Sequence, residues 1–262
     1  MADLWMQFLL TLDATLRVAT PLILCAMAGL FSERSGIIDI SLEGKMLMAA
    51  FAAGTLAALT GSAIAGLAGA ILVSVMFSLI HGFACITHKG NQVISGLAIN
   101  ILASGLTVTL GIAIFAKGGQ TPMLSREARF SSIELPFAEA AGAIPVIGPI
   151  YKEIISGHNI LVWCALIAVW ITSFIIFKTA FGLRLRAVGE KPEAVDTAGI
   201  SVSGLRYRAV IIAGIFCGIA GAYLSVAHGA GFGREMTAGK GYIALAALIF
   251  GNWRPVPALA AC

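Results

Sequence analysis

Long apolar runs dominate the sequence. Stretches free of Lys, Arg, Asp and Glu occupy residues 46–87, 91–116, 154–177 and 209–227, and the first is long enough to cross a membrane twice. A helix needs about 20 apolar residues to span the hydrocarbon of a bilayer. The runs are continuous and do not alternate between apolar and polar positions, as barrel strands would, so they predict transmembrane α-helices.

The composition extends this prediction to the whole chain. Of the 262 residues, 59% are hydrophobic and 11% are charged, whereas about 25% of the residues of a soluble domain are charged. We therefore expect one transmembrane domain over residues 1–262, an all-α polytopic bundle of about six or seven membrane-spanning helices. The five cysteines show no CxxC spacing, and neither a disulfide framework nor a metal site is indicated.

Charge in the connecting segments predicts the orientation. Residues 178–208 carry six basic residues against three acidic ones, and an excess of Lys and Arg marks a cytoplasmic loop. Residues 117–153 balance four basic residues with four acidic ones and are expected to form an external loop. One predicted span separates the two loops, so the assignments agree. The net charge of +4 is concentrated in the cytoplasmic loop and gives no indication of nucleic-acid binding.

The pattern is irregular at both ends of the chain. The first apolar run, residues 18–31, is short and must extend back across Arg17 and Asp13 to cross a membrane; an i,i+4 pair of this kind can neutralise itself at the interface. Near the other end, residues 241–252 are too short to cross, which predicts a re-entrant segment or a half-helix. Few residues follow, so we expect the final spans of the domain to be missing.

The cytoplasmic loop contains a short predicted helix at residues 192–198. Pro192 suits the first turn of a helix, Glu193 and Asp196 favour the positive end of the helix dipole, and Gly199 supplies a C-terminal stop. Because the helix lies between two spans, we expect it to rest on the membrane surface with one face free. Physical reasoning alone leaves two interpretations open, a docking element for a partner and a solvated loop helix.

Residues 186–200, RAVGEKPEAVDTAGI, resemble the coupling-loop signature of permease subunits of bacterial ABC importers, in the group that transports simple sugars, nucleosides and branched-chain amino acids. Three further stretches resemble the same family in the same order. They are SGIIDISLEG (residues 35–44), VISGLAIN (93–100) and MTAGKGYIALAALIFG (236–251). The last three stretches are nearest to nucleoside and simple-sugar permeases. Asp39 stands where the family usually has asparagine, and family members continue for one or two more spans.

The resemblance implies a permease subunit of the bacterial plasma membrane, forming half of the pore for uptake of a nucleoside or a simple sugar. It implies three partners: a cytoplasmic ABC ATPase, a second permease subunit and an external substrate-binding protein. The chain would be no enzyme and would bind no cofactor, since ATP and magnesium belong to the ATPase. The residues implied in coupling to that ATPase are Arg186, Gly189, Glu190, Pro192, Glu193, Ala194, Asp196 and Gly199.

Polar residues inside apolar runs are candidates for the translocation pathway, because such groups need a partner or a wet cavity. Asn100, in the middle of its run, is the first candidate, and a hydrogen bond between helices is the alternative. Ser95 lies in the same run. Glu43 and Asp39 occur where an internal loop re-enters the membrane, where they would brace a broken helix or lie at the interface.

Five further charged or histidine positions have ordinary interpretations. His81 and His228 lie near span ends and are expected to be satisfied histidines at the interface. Arg234, Glu235 and Lys240 are expected to form an external patch of mixed charge, either a docking surface for a binding protein or a solvated loop.

Other functions fit the sequence less well. It contains no GxxxxGK[ST] loop, so a transporter of this kind must use the ATPase of another subunit. A branched-chain amino acid permease is one alternative. An ion-coupled secondary carrier is another, but such carriers place ionisable groups in the middle of their spans, where this chain has almost none. A membrane-embedded protease is disfavoured because HExxH is absent and Ser95 lacks a catalytic pattern.

Overall fold

The computed structural model describes residues 2–116, 118–132 and 156–262, with side chains from Trp5 onward. In these ranges the chain forms helices joined by turns and irregular segments, with one isolated bridge between Ser132 and Asn159. The helices are α1 (Ala2–Arg34), α2 (Leu42–Thr60), α3 (Ala63–Gly82), α4 (Gln92–Phe115), α5 (Ile160–Lys178), α6 (Ala180–Glu190), α7 (Pro192–Thr197), α8 (Val202–Ala222), α9 (Lys240–Phe250) and α10 (Pro255–Ala261). Two π-helical turns, Phe83–Thr87 and Tyr223–His228, extend α3 and α8.

Six helices of the described ranges are long and apolar enough to cross a membrane, namely α1 to α5 and α8, with α3 and α8 counted together with their π turns. The prediction of about six or seven spans in an all-α bundle is confirmed. The predicted half-helix is α9, which has 11 residues. Most of the predicted external loop lies outside the described residues, as does the predicted start of a span at residue 154.

Helix α1 confirms that the first span extends past its charged residues. It is continuous from Ala2 to Arg34, and Arg17 Nε lies 3.0 Å from Asp13 Oδ1. The pair is one helical turn apart, so each charge has its partner on the same face of the helix.

Polar side chains determine where several helices begin. Each of the residues before α3, α4, α5 and α8 accepts a hydrogen bond from a backbone N–H of the first turn, which would otherwise be unsatisfied. These capping residues are Ser62, Asn91, Asn159 and Ser201.

Helices α2 and α8 form the centre of the bundle. Most of α2 is buried, and α8 packs against α1, α2 and α3. The approach is close because α8 carries glycines: a Cβ atom on Gly218 would lie 2.6 Å from Ile71 Cα, and one on Gly221 would lie 2.5 Å from Met46 O. These two glycines of α8 therefore allow tight packing between helices.

Residues 229–239 form an irregular segment that runs along α4 from its C-terminal end towards its middle. Thr121 N donates to Phe232 O, Ser104 Oγ donates to Glu235 Oε1, and Asn100 contacts Tyr242 just beyond. Helix α9 then continues to the end of the bundle that carries α6 and α7, where Trp253 meets Arg34. We call this the basic end, because residues 178–208 form it. Segment and half-helix together cross the bundle.

The expected external patch is therefore placed differently for two of its members, because Lys240 is the first residue of α9 and Glu235 lies beside α4. Arg234 and Glu235 are exposed, but Glu235 lies against Ser104 in the middle of α4, farther into the bundle than an external loop. The sequence alone did not indicate this position of Glu235. Residues 229–239 form no regular helix, so no apolar pattern could predict their path.

The close packing of α8 on α2 predicts that Gly221→Ala is destabilising. The new methyl group would overlap Met46 O and Ala50 N, which belong to the backbone, so α8 must move away at a cost of about 1–3 kcal/mol. Thermal unfolding of the purified protein in detergent measures the change. The control is Gly105→Ala in α4, where nothing lies within 4 Å of the added atom and alanine should stabilise the helix by up to about 1 kcal/mol. Equal effects at the two positions would contradict the packing argument.

Candidate functional site

The loop between α5 and α8 contains two helices where the sequence predicted one. Helix α6 begins after Thr179, whose Oγ1 accepts a hydrogen bond from Gly182 N at 3.2 Å. A Cβ atom on Gly182 would lie 2.2 Å from Ile175 O, so glycine is required where α6 folds back against α5. The local signal for α6 is weak, because glycines lie near both ends of its 11 residues and glycine disfavours helices.

Helix α7, Pro192–Thr197, confirms the predicted short helix, which ends one residue earlier than expected. Val195 is buried and packs against Val188 of α6 and Leu205 of α8. Glu193 and Asp196 are exposed. One apolar side chain therefore anchors the helix, and its charged face points away from the bundle.

The residues implied in coupling divide into two groups. Gly189 lies against the end of α1, where a Cβ atom would be 2.4 Å from Arg34 O, and the Arg186 guanidinium lies 5.2 Å from the centre of the Phe177 ring. These two residues position α6 on its neighbours. Pro192 is half-buried, and the remaining five residues are exposed and accessible to a partner. The five are Glu190, Glu193, Ala194, Asp196 and Gly199.

A groove of about 500 Å³ separates α6 from α7 at the basic end. Most of its lining side chains are apolar, and charged residues stand among them. The lining comprises Leu183, Arg184, Ala187, Glu190, Lys191, Ala194, Val195, Ala198 and Ile200. An apolar floor with a charged rim is the usual composition of a protein contact surface.

Beneath α6, the end of α1 is bound to the turn after α9. Arg34 Nη2 donates to Trp253 O at 2.9 Å, and Trp253 Nε1 donates to Glu33 Oε2. Since Gly189 packs on Arg34, α6, the end of α1 and the turn after α9 contact one another in that order.

Glu43 joins the starts of α2 and α9 inside the bundle. Its Oε1 accepts a hydrogen bond from Gly239 N at 2.8 Å and its Oε2 accepts one from Gly241 N at 2.6 Å. These N–H groups have no partner within α9, and a carboxylate at a helix N-terminus also interacts favourably with the helix dipole. Of the two interpretations left open by the sequence, the brace of a broken helix is the one in the structure.

Asn100 uses its whole amide to hold the same junction. Its Oδ1 accepts from Gly44 N at 2.8 Å, and its Nδ2 donates to Ile40 O at 3.0 Å and to Tyr242 Oη at 2.8 Å. The helix-to-helix hydrogen bonds expected as the alternative for Asn100 are present. Tyr242 was not predicted as a site residue. Its only signal in the sequence was an aromatic residue near the start of an apolar stretch that is too short to cross a membrane.

Asp39 and Ser95 belong to a cluster behind this junction, in which Asp39 is buried and Ser95 is half-buried. Lys45 Nζ lies 2.6 Å from Asp39 Oδ2, and both side chains are fully buried. His81 links the cluster to α4, with Nδ1 3.0 Å from Ser95 Oγ. Burial acts to raise the pKa of Asp39, but the Lys45 charge, with further help from His81 and Ser41, holds that pKa below its ordinary value. Lys45 was missed because an ion pair across a loop and a helix start leaves no periodic pattern.

The side of the bundle formed by α4 and the 229–239 segment carries polar groups that are partly accessible. Glu235 is exposed and Asn100 is half-buried, and Tyr242 is 43% exposed. We call Asn100, Ser104, Glu235 and Tyr242 the polar face. Irregular backbone and ionised groups at membrane depth are tolerated only where they meet protein or water, so the polar face is not a lipid-facing surface.

The buried ion pair predicts a large effect for Lys45→Met. Removing one partner leaves the Asp39 carboxylate buried without its counter-charge, which costs about 3–5 kcal/mol. Thermal unfolding in detergent at neutral pH measures the loss. The double variant Asp39→Asn with Lys45→Met has no buried charge and should recover most of it; equal instability of the single and double variants would show that the pair is not the cause. Because the folded-state pKa of Asp39 is lowered, the contribution of the pair is present at neutral pH and is lost as the pH falls through that value.

Known proteins resemble the chain over most of its length. The family described as "Branched-chain amino acid transport system / permease component" matches residues 11–262. The guanosine ABC transporter permease protein of Bacillus subtilis is 41% identical over 254 residues, which cover 95% of this chain and 77% of that protein. The nucleoside ABC transporter permease protein of Lactococcus lactis is 36% identical, over 92% of this chain and 75% of that protein. A putative glucose ABC transporter permease protein of Haloferax volcanii is also 36% identical, over 93% and 71%.

No solved structure matches the chain. A family match over nearly the whole sequence and relatives above 30% identity settle the classification. The chain belongs to the branched-chain amino acid transport system permease family, whose members are membrane subunits of ABC transporters.

Proposed function

We propose that the chain forms half of the translocation pathway of a bacterial plasma-membrane importer that takes up a nucleoside or a simple sugar. The observation that carries the proposal is the course of the 229–239 segment and α9, which lead from the polar face to the basic end beneath α6 and α7. One continuous piece of chain thus contacts both the candidate pathway and the candidate coupling surface. The relatives named for guanosine, nucleoside and glucose transport support the substrate class.

Four sequence-predicted pathway residues have different parts in this proposal. Asn100 lies at the polar face and positions Tyr242, which can contact a solute. Glu43 fixes the start of α9, so its carboxylate is occupied by backbone N–H groups. Asp39 and Ser95 lie behind the face in the cluster that includes Lys45 and keep α2, α3 and α4 together while α9 moves.

Coupling is proposed to occur through the exposed face of α7. A cytoplasmic ATPase subunit would bind α7 and the groove beside it, and closure of the ATPase would displace α6. The contact of Gly189 with Arg34 and the bonds of Trp253 support transmission of that displacement to α9. The chain supplies no hydrolytic chemistry in this scheme.

A second permease subunit, identical or related, would cover the polar face and enclose the pathway. Two bundles meeting at polar faces leave a gated passage between them, which satisfies the requirement that Glu235 meet water or protein. An external binding protein would deliver the solute at the end of the bundle opposite α6 and α7. A hydroxyl-rich solute suits a face with a carboxylate, an amide and two hydroxyl groups better than the apolar side chain of a branched-chain amino acid does.

The coupling proposal predicts that Glu193→Lys with Asp196→Lys uncouples the subunit from its ATPase. Both carboxylates are exposed on α7, so the fold should survive, while reversed charge at the docking surface should reduce co-purification with the ATPase and solute uptake by about tenfold or more. Lys178→Glu with Arg208→Glu is the matched control, since both residues are exposed at the same end of the bundle. Undiminished co-purification and uptake in the α7 variant would refute the coupling role.

The energy source provides a separate prediction. In cells or vesicles that maintain ATP, a protonophore should leave uptake of radiolabelled guanosine or ribose within about twofold of its untreated rate, because an importer driven by ATP hydrolysis needs no proton gradient. Depletion of ATP should abolish uptake. Loss of uptake with the protonophore while ATP is maintained would instead support an ion-coupled carrier.

A further inference from the structure

Two side chains of the polar face remain available to a solute. Glu235 Oε1 accepts a hydrogen bond from Ser104 Oγ at 2.5 Å, and Tyr242 Oη accepts one from Asn100 Nδ2 at 2.8 Å. In each pair a residue of α4 holds the other side chain. Ser104 holds Glu235 of the 229–239 segment, and Asn100 holds Tyr242 of α9. The acceptor Oε2 of Glu235 and the hydroxyl proton of Tyr242 form no hydrogen bond in the described part of the chain.

Helix α4 sets the distance between the two side chains. Asn100 and Ser104 are four residues apart, so they lie on the same face of the helix with a rise of about 6 Å between them. Glu235 and Tyr242 are therefore held beside adjacent turns of α4, on the same side of that helix. This spacing suits a solute with two linked rings, one that offers hydroxyl groups and one that is flat and aromatic.

Glu235 has the features of a binding group. It has a φ of +53°, a conformation that residues other than glycine adopt uncommonly and that is found more often at functional sites. Its carboxylate is exposed beside the middle of α4, where an ionised group requires water or a polar ligand. A carboxylate accepts hydrogen bonds from neighbouring hydroxyl groups and disfavours a phosphate, so it favours a ribose and opposes a nucleotide.

Tyr242 supplies the complementary surface. Its hydroxyl is fixed by Asn100, and the side chain is 43% exposed. The π face of an aromatic ring stacks on a nucleobase with little dependence on which base it is. A fixed hydroxyl also orients the ring before a solute arrives, which reduces the entropic cost of binding.

We propose that Glu235 and Tyr242 form a two-part subsite for a nucleoside, in which the Glu235 carboxylate accepts hydrogen bonds from the ribose hydroxyls and the Tyr242 ring stacks on the base. The inference rests on the proposed function and narrows its substrate class from nucleoside or simple sugar to nucleoside. Ser104 and Asn100 act as positioning residues within it.

The test is uptake by the complete importer, reconstituted in proteoliposomes with its ATPase, partner permease and binding protein. The probes are guanosine, 2′,3′-dideoxyguanosine and ribose. The binding protein is the same for every variant, so a change in the ratio of guanosine to dideoxyguanosine uptake belongs to the permease. Glu235→Gln should reduce guanosine uptake about tenfold and lower this ratio by a similar factor. Tyr242→Leu should reduce uptake of both nucleosides about tenfold, and Tyr242→Phe, which keeps the ring, should recover most of that loss.

Two control variants carry the same changes outside the polar face. Glu127→Gln removes an exposed carboxylate in the 118–132 segment, and Trp170→Leu removes an aromatic side chain of α5 that is 71% exposed. Both should transport guanosine as the unchanged chain does.

The possible failures are distinguishable. If the unchanged importer takes up guanosine and the Glu235 and Tyr242 variants keep its rate and its ratio, the subsite is wrong and the proposed function stands. If it takes up ribose and no nucleoside, the nucleoside assignment is wrong and the permease function again stands. If it takes up none of the three probes, both proposals are overturned.

Discussion

The structure depends on the hydrogen bonds of backbone N–H and C=O groups where the chain is not helical inside the bundle. Lipid offers no hydrogen bonds, so each N–H and C=O group of the broken segment must find a partner in the protein or in water. Glu43 provides two of these partners at the start of α9, and Asn100 provides two more at the start of α2. Because both helices begin at this junction, the arrangement creates a polar surface within an otherwise apolar bundle.

The rest of the bundle packs closely around this junction. Helix α2 is buried by its neighbours, glycines bring α8 into contact with α2 and α3, and the pair of Asp39 with Lys45 holds the start of α2 without access to water. Helix α9 is shorter and more exposed, and its end is bound to α1 near α6. A short helix held at both ends by polar contacts can change position with fewer losses of packing than a buried helix, which makes α9 the part suited to couple the two sites.

Sequence reasoning succeeded where a local pattern has one structural solution. Apolar runs of spanning length predicted five of the six helices, and Pro192 and Gly199 bounded α7 to within one residue at its end. The extension of α1 across Asp13 and Arg17 followed from the i,i+4 pair. Helix α6 was missed because its glycines weaken the local signal, although Gly182 and Gly189 are needed there for close contacts with α5 and α1. Their role is visible only when the neighbouring backbone is known.

The sequence by itself determined that the protein lies in a membrane, the approximate number of its spanning helices and the family to which it belongs, since each follows from composition or from consecutive residues. The tertiary structure alone decided which polar groups meet. Asn100 and Tyr242, or Ser104 and Glu235, are separated by more than 130 positions along the chain, and no periodicity relates residues so far apart. Their contact depends on the path of an irregular segment, and that path is set by packing and by the need to satisfy its backbone.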